Sequence, residues 1–130
     1  MPRKPQKGAV RRHIKRDATV PFSRGVLVGN TLYISGHIGL DAKTGKVPAD
    51  VRTEARYLMD DVCSVLKEAA MTVNDLAYVQ VFCPDVSLWE TFNEVYRTYF
   101  NGDLPARAFV GSGKLLFDAR FELQAIAVKG

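Results

Sequence analysis

Arg120-Phe121-Glu122-Leu123-Gln124-Ala125-Ile126-Ala127-Val128 is the stretch on which the fold turns. Phe121, Leu123, Ala125 and Ala127 fall on one side of an extended chain. Arg120, Glu122, Gln124, Ile126 and Val128 fall on the other. This two-residue period predicts a strand over residues 120–128 with one face in a core. A second stretch, Leu104-Pro105-Ala106-Arg107-Ala108-Phe109-Val110, predicts a strand over 107–111 on which Arg107 and Phe109 share a face. Charges embedded in strand sequence are costly unless they are paired or used. The expectation is that Arg107 and Glu122 face one cleft, where a guanidinium holds a small carboxylate and a glutamate activates water.

Working outward, Val26–Val28 and Thr31–Ser35 predict two short strands joined by Gly29-Asn30, two residues that tolerate positive φ. Gly36, Gly39 and Gly45 mark an irregular connection, with Asp41 to Gly45 as a surface turn. Val51, Ala55, Leu58, Met59, Val62, Val65, Leu66 and Ala69 recur at three- and four-residue steps, so a helix is expected from Val51 to Ala70 with Asp50 as N-cap. Arg52, Glu54, Asp60, Asp61 and Lys67 are placed mostly on its solvent face. Leu76–Phe82 alternates as a strand, stopped by Pro84. Ser87-Leu88-Trp89-Glu90 reads as a capping box opening a second helix to Phe100, with Trp89 in core or interface packing. The order is β-β-α-β-α-β-β, an α+β domain. Two helices cover one sheet face, and the other face calls for copies of the same chain.

One domain suits 130 residues of which 47% are hydrophobic. No apolar run is long enough to span a bilayer, and no secretory apolar segment follows the basic start. Residues 1–24 hold eight Lys or Arg and one acidic residue, Asp17, whereas the rest holds ten basic and thirteen acidic residues. The positive charge is therefore a property of residues 1–19, read as a basic tail ahead of a mildly acidic domain over 20–130. That tail contains no aromatic residue to stack on bases, which argues against nucleic acid as the partner. Cys63 and Cys83 fit no metal-ligand spacing and read as free buried thiols of a reducing cytoplasm.

Several pieces in order resemble the RidA/YjgF family of enamine/imine deaminases, formerly described as translation inhibitors or L-PSP endoribonucleases. They are Pro21-Phe22-Ser23, Val28 through Gly36, Asp41 through Gly45, Phe92-Asn93-Glu94-Val95-Tyr96, Pro105-Ala106-Arg107 and Glu122 through Val128. The resemblance implies a chorismate-mutase-like fold and a homotrimer with pockets between subunits. It implies hydrolysis of 2-imino acids, such as 2-iminopropionate and 2-iminobutyrate, to 2-keto acids and ammonia without a metal or organic cofactor. It maps Arg107 onto the arginine that grips the substrate carboxylate, a role suited to a planar fork of donors. It maps Glu122 onto the carboxylate that activates water. Phe22, Gly36, His37, Asn93 and Phe109 then shape the pocket.

The chain departs from the family pattern at named positions. Phe22 stands where tyrosine is common, and Ala108-Phe109 stands for Ser-Cys, so a bulky ring narrows or closes the site. His37 replaces a common glutamine, as a pocket proton donor or as a structural histidine. Gln124 replaces a second glutamate, and Met71 occupies a place where a helix-ending glycine is common. Two rival functions follow. One is a non-catalytic module that binds a 2-keto acid in the same cleft, favoured by Phe22 and Phe109. The other is an RNA-associated protein or ribonuclease, resting on the basic tail alone.

Overall fold

The computed structural model describes residues 10–15 and 18–130. The six strands are β1 (Arg11–Ile14), β2 (Gly25–Val28), β3 (Thr31–Ile38), β4 (Leu76–Cys83), β5 (Ala106–Gly111) and β6 (Glu122–Val128). They form one sheet in the order β1-β2-β3-β6-β4-β5. The helices are α1 (Val51–Glu68) and α2 (Trp89–Arg97). The expected mixed sheet with two helices is present in the expected order. Ahead of it, β1 lies in the segment read as a tail and pairs antiparallel with β2. Its sequence carries one buried apolar residue, Ile14, and its pairing is made by backbone groups, which leave no side-chain period to read. Arg3, Lys4, Lys7 and Arg16 of the expected tail lie outside the described residues.

The topology explains why both helices share a face. Strands β3 and β4 each pair antiparallel with β6 between them, so they run parallel to one another, and β4 pairs parallel with β5. The crossovers β3-α1-β4 and β4-α2-β5 thus step across the sheet in the same sense. Such crossovers are right-handed in nearly all proteins, which sends both helices to the same side. Phe92, Phe121, Leu58, Met59, Val62, Val79, Val81 and Leu123 fill the layer between sheet and helices. Full burial of each such side chain contributes about 1.5–3 kcal/mol. The opposite face leaves Tyr33, Val110 and Val128 exposed.

Local chemistry fixes the boundaries, with several departures from the sequence reading. Only Gly29 of the Gly29-Asn30 turn takes positive φ, at 59°. Strand β3 runs on to Ile38 through a bulge between Ile34 and His37, so Gly36 and His37 sit in a strand and not in a loop. Asp50 caps α1, accepting from the Thr53 backbone N–H at 2.9 Å. The helix ends in a Schellman arrangement, with Met71 N–H donating to Leu66 O and Ala70 N–H to Lys67 O. The left-handed residue is Ala70, at φ 56°, and not Met71.

The capping box expected at Ser87 does not form. Leu88 is the N-cap of α2 and makes no side-chain cap bond. Asp85 instead accepts from the Ser87 N–H at 3.0 Å and caps a short 3-10 turn ahead of the helix. Trp89 is therefore at the start of the helix and exposed, not in the core. A capping box does form at Thr72 and Asp75, leading into β4.

Candidate functional site

Arg107 lies on β5 with its side chain under α2. Its Nη2 donates to Asn93 Oδ1 at 2.7 Å, and Asn93 is itself buried. The guanidinium carbon stands 4.7 Å from the Tyr96 ring centroid, 5.5 Å from that of Phe109 and 6.0 Å from that of Phe92. Among the described residues Arg107 makes no ion pair, and its Nη1 is buried with no hydrogen-bond partner. Burial is the main cause that draws its pKa below the usual arginine value. Even half-buried, a guanidinium with an unsatisfied donor and no carboxylate is costly, and a bound anion offsets that cost.

Glu122 opens β6 on the opposite side of the sheet. Phe121 and Leu123, which flank it, are buried beneath the helices, and alternation turns Glu122 away. It pairs in register with Ile38 of β3 and Phe82 of β4. Glu122 lines a cleft of about 1210 Å³ together with Phe22, Gly36, His37, Tyr57, Leu116 and Phe117. A Cβ built on Gly36 would lie 2.9 Å from Glu122 Oε2, so the missing side chain is what lets the carboxylate lie against β3.

The predicted residues thus divide into two groups. Arg107, Asn93 and Phe109 cluster under α2. Phe22, Gly36, His37 and Glu122 line the cleft beside the β3 bulge, which α1 also borders through Tyr57 and Asp61. The expectation that Arg107 and Glu122 face one cleft is not met within one chain. The strand assignments were right, but side-chain direction in β5 is set by α2, which packs over Arg107 and Phe109. Sequence alternation gives two faces and does not say which face of β5 matches which face of β6.

His37 is structural in this fold. It is buried, with Nδ1 at 2.5 Å from Asp61 Oδ2 and Nε2 at 3.2 Å from Arg24 O. Arg24 in turn donates to Asp61 Oδ1 at 2.7 Å and to Ser64 Oγ at 2.5 Å. Both ring nitrogens are therefore engaged by the chain itself, which ties the β3 bulge to α1.

A second buried ion pair was missed in the sequence. Glu54, placed above on the solvent face of α1, is fully buried. Its Oε1 accepts from Arg120 Nη1 and its Oε2 from the Arg120 backbone N–H, both at 2.7 Å. Arg120 also donates to the carbonyls of Pro48 and Ala49. Burial raises the Glu54 pKa in spite of these bonds. Gly39 allows the contact, since a Cβ there would collide with the Glu54 carbonyl. The signal was present: positions 54, 58, 61 and 65 follow helical spacing, so Glu54 and Asp61 flank the apolar stripe.

Both cysteines are free, Cys83 buried and Cys63 partly so. Among the described residues no group of three or more His, Cys, Asp or Glu is arranged to hold a metal ion. No described helix is long and apolar enough to cross a membrane.

Comparison with known proteins places this architecture. Residues 13–129 match the model of the Endoribonuclease L-PSP family. The 2-iminobutanoate/2-iminopropanoate deaminase of Mus musculus is 40% identical over 111 residues, 85% of this chain and 82% of that protein. The protein of the same name from Escherichia coli K12 is 38% identical over 112 residues, covering 84% and 88%. The crystal structure of E. coli TdcF with bound serine superposes with a TM-score of 0.83 at 31% identity, covering 96% of this chain and all of that one. The chain belongs to the Endoribonuclease L-PSP family, the RidA/YjgF family to which these imine deaminases belong.

Proposed function

We propose that this protein hydrolyses 2-imino acids to 2-keto acids and ammonia, in the cytoplasm and without a cofactor, as a homotrimer whose sites lie between subunits. The observation that carries the reading is the half-buried Arg107 guanidinium, which has a hydrogen-bonding neighbour in Asn93, a buried Nη1 without a partner and no carboxylate partner among the described residues. The relatives named as imine deaminases support the reaction, and the serine bound by TdcF is an amino acid bearing the carboxylate such a site would hold.

In this mechanism Arg107 of one subunit binds the substrate carboxylate, and Glu122 of the next faces the imine carbon. Glu122 takes a proton from water as the water oxygen bonds to that carbon and the C=N π electrons move to nitrogen. The same glutamate returns the proton to the nitrogen, completing the amino group of the tetrahedral intermediate. It then takes the hydroxyl proton of that intermediate and passes it to the amino nitrogen as the keto C=O forms and the C–N bond breaks, releasing ammonia, so one water is consumed per imine. Phe22, Gly36 and His37 form the wall around Glu122.

The Phe109 ring over the guanidinium favours a second reading, in which the same residues bind a 2-keto acid without turnover. Ammonia release from 2-iminobutyrate and 2-iminopropionate generated in situ separates the two. Acceleration that vanishes in Arg107→Ala is expected. No acceleration by folded wild type, with 2-ketobutyrate still binding, would transfer the conclusion to the binding module.

A further inference from the structure

Two buried side-chain polar atoms among the described residues lack any hydrogen-bond partner: Arg107 Nη1 and the hydroxyl of Tyr96. They belong to side chains in direct contact, since the guanidinium lies against the Tyr96 ring. Tyr96 is only 4% exposed, so water does not satisfy it from outside. Phenylalanine would fill the same space, and an unpartnered buried hydroxyl costs about 1–3 kcal/mol. A guanidinium only donates, and the tyrosine hydroxyl keeps a proton to donate, because burial pushes its pKa up to about 12. Asn93 Oδ1, the acceptor found beside them, is occupied by Nη2. The Phe92 and Phe109 rings also flank the guanidinium, with centroids 6.0 and 5.5 Å from its carbon. Two donors on side chains in contact thus lack a hydrogen-bond partner, and one anionic oxygen reaching both would satisfy them.

We infer that Tyr96 is a second carboxylate-binding residue: its hydroxyl and Arg107 Nη1 together take one oxygen of the bound 2-imino or 2-keto acid when the Phe109 ring moves aside. The inference rests on the proposed role of Arg107 and adds to it a neutral donor and a moving cover.

The test is titration of the intact protein with 2-ketobutyrate by calorimetry, using wild type, Tyr96→Phe, Phe109→Ala and the double variant, with thermal melts alongside. Loss of one hydrogen bond to a charged acceptor is expected to weaken binding about ten-fold in Tyr96→Phe, both alone and in the Phe109→Ala background. Phe109→Ala is expected to bind more tightly than wild type, because the open state no longer has to be selected. The ligand-free melting temperature of Tyr96→Phe should equal or exceed that of wild type. Unchanged affinity in Tyr96→Phe in both backgrounds would overturn the inference, and a lowered melting temperature with unchanged affinity would assign Tyr96 a structural role instead. Failure of both folded wild type and Phe109→Ala to bind 2-ketobutyrate would instead overturn the parent reading of Arg107.

Discussion

Arg107 and Glu122 lie on opposite faces of the same sheet, one beneath α2 and the other beside the β3 bulge. No side-chain rotation brings both to one small molecule, because the sheet stands between them. A two-charge site built from these residues takes one charge from each of two copies. Inactive Arg107→Ala and Glu122→Gln chains should therefore complement each other when refolded together. With random mixing about a quarter of the sites should regain both groups, so ammonia release should approach that fraction of wild type. Persistent inactivity of a mixture shown to contain hybrid oligomers would rule out a shared site.

Gly36 gives Glu122 its place. Gly36→Ala puts a Cβ where the carboxylate oxygen now sits, and the flexible end of the glutamate is what must move. Folding should be nearly unaffected. A displacement of the order of 1 Å in a water-activating group costs about 100-fold in rate, so kcat should fall while the melting temperature stays within a few degrees. Steady-state kinetics and thermal melts together check this, and an unchanged kcat would show that Glu122 does not depend on residue 36.

The Glu54–Arg120 pair anchors the start of α1 to the entry of β6. Removing the carboxylate leaves the partly exposed Arg120 guanidinium without its counter-charge and the Arg120 backbone N–H without its acceptor, so Glu54→Ala should destabilise by about 3 kcal/mol in urea unfolding. Its pH dependence has a definite sign. The folded Glu54 pKa is raised above the ordinary 4.5, with burial the largest cause, so between the two values the folded state binds more protons than the unfolded chain. Stability from this group is therefore lost as pH rises from 4.5 through the folded value. The stability difference between wild type and Glu54→Gln should shrink over that rise, and a difference that grows would contradict the assignment.

Ala70 closes α1 at φ 56°, a conformation that a side chain makes unfavourable. Its carbonyl also accepts from Lys129 Nζ, an interaction that substitution leaves intact. Ala70→Gly should stabilise the protein by about 1 kcal/mol, the reverse of the usual effect of glycine. Chemical denaturation reads this directly as a higher midpoint with the same slope. A lower midpoint would mean that the unfolded-state entropy of glycine outweighs the relieved strain.

Cys83 is fully buried and its thiol donates to the Asp85 carbonyl at 3.0 Å. Burial raises the pKa of both Cys63 and Cys83, which disfavours the reactive thiolate. Cys83 should resist a thiol-disulfide reagent at pH 8 in the folded protein and react at once in denaturant. Rapid labelling of Cys83 under native conditions would show that β4 opens locally.

The sequence by itself determined the types and order of the elements from β2 onward, most of the apolar core and the two charges singled out. Alternation in residues 120–128 and helical spacing from Val51 are local patterns, and each is written in consecutive residues. Its errors have a common physical origin. The strand Arg11–Ile14 forms through backbone bonds to β2, and backbone bonds leave no side-chain signature. Ser87 and Glu90 have the residue types of a capping box, but Asp85 captures the Ser87 amide two residues earlier. Glu54 reads as a surface charge until Arg120, 66 positions away, supplies its partner. Tertiary structure alone decided which face each strand presents, because facing depends on where α1 and α2 pack. For that reason Arg107 and Glu122 were legible as candidate groups, while their separation by the sheet, and the unpaired Tyr96 beside Arg107, were not.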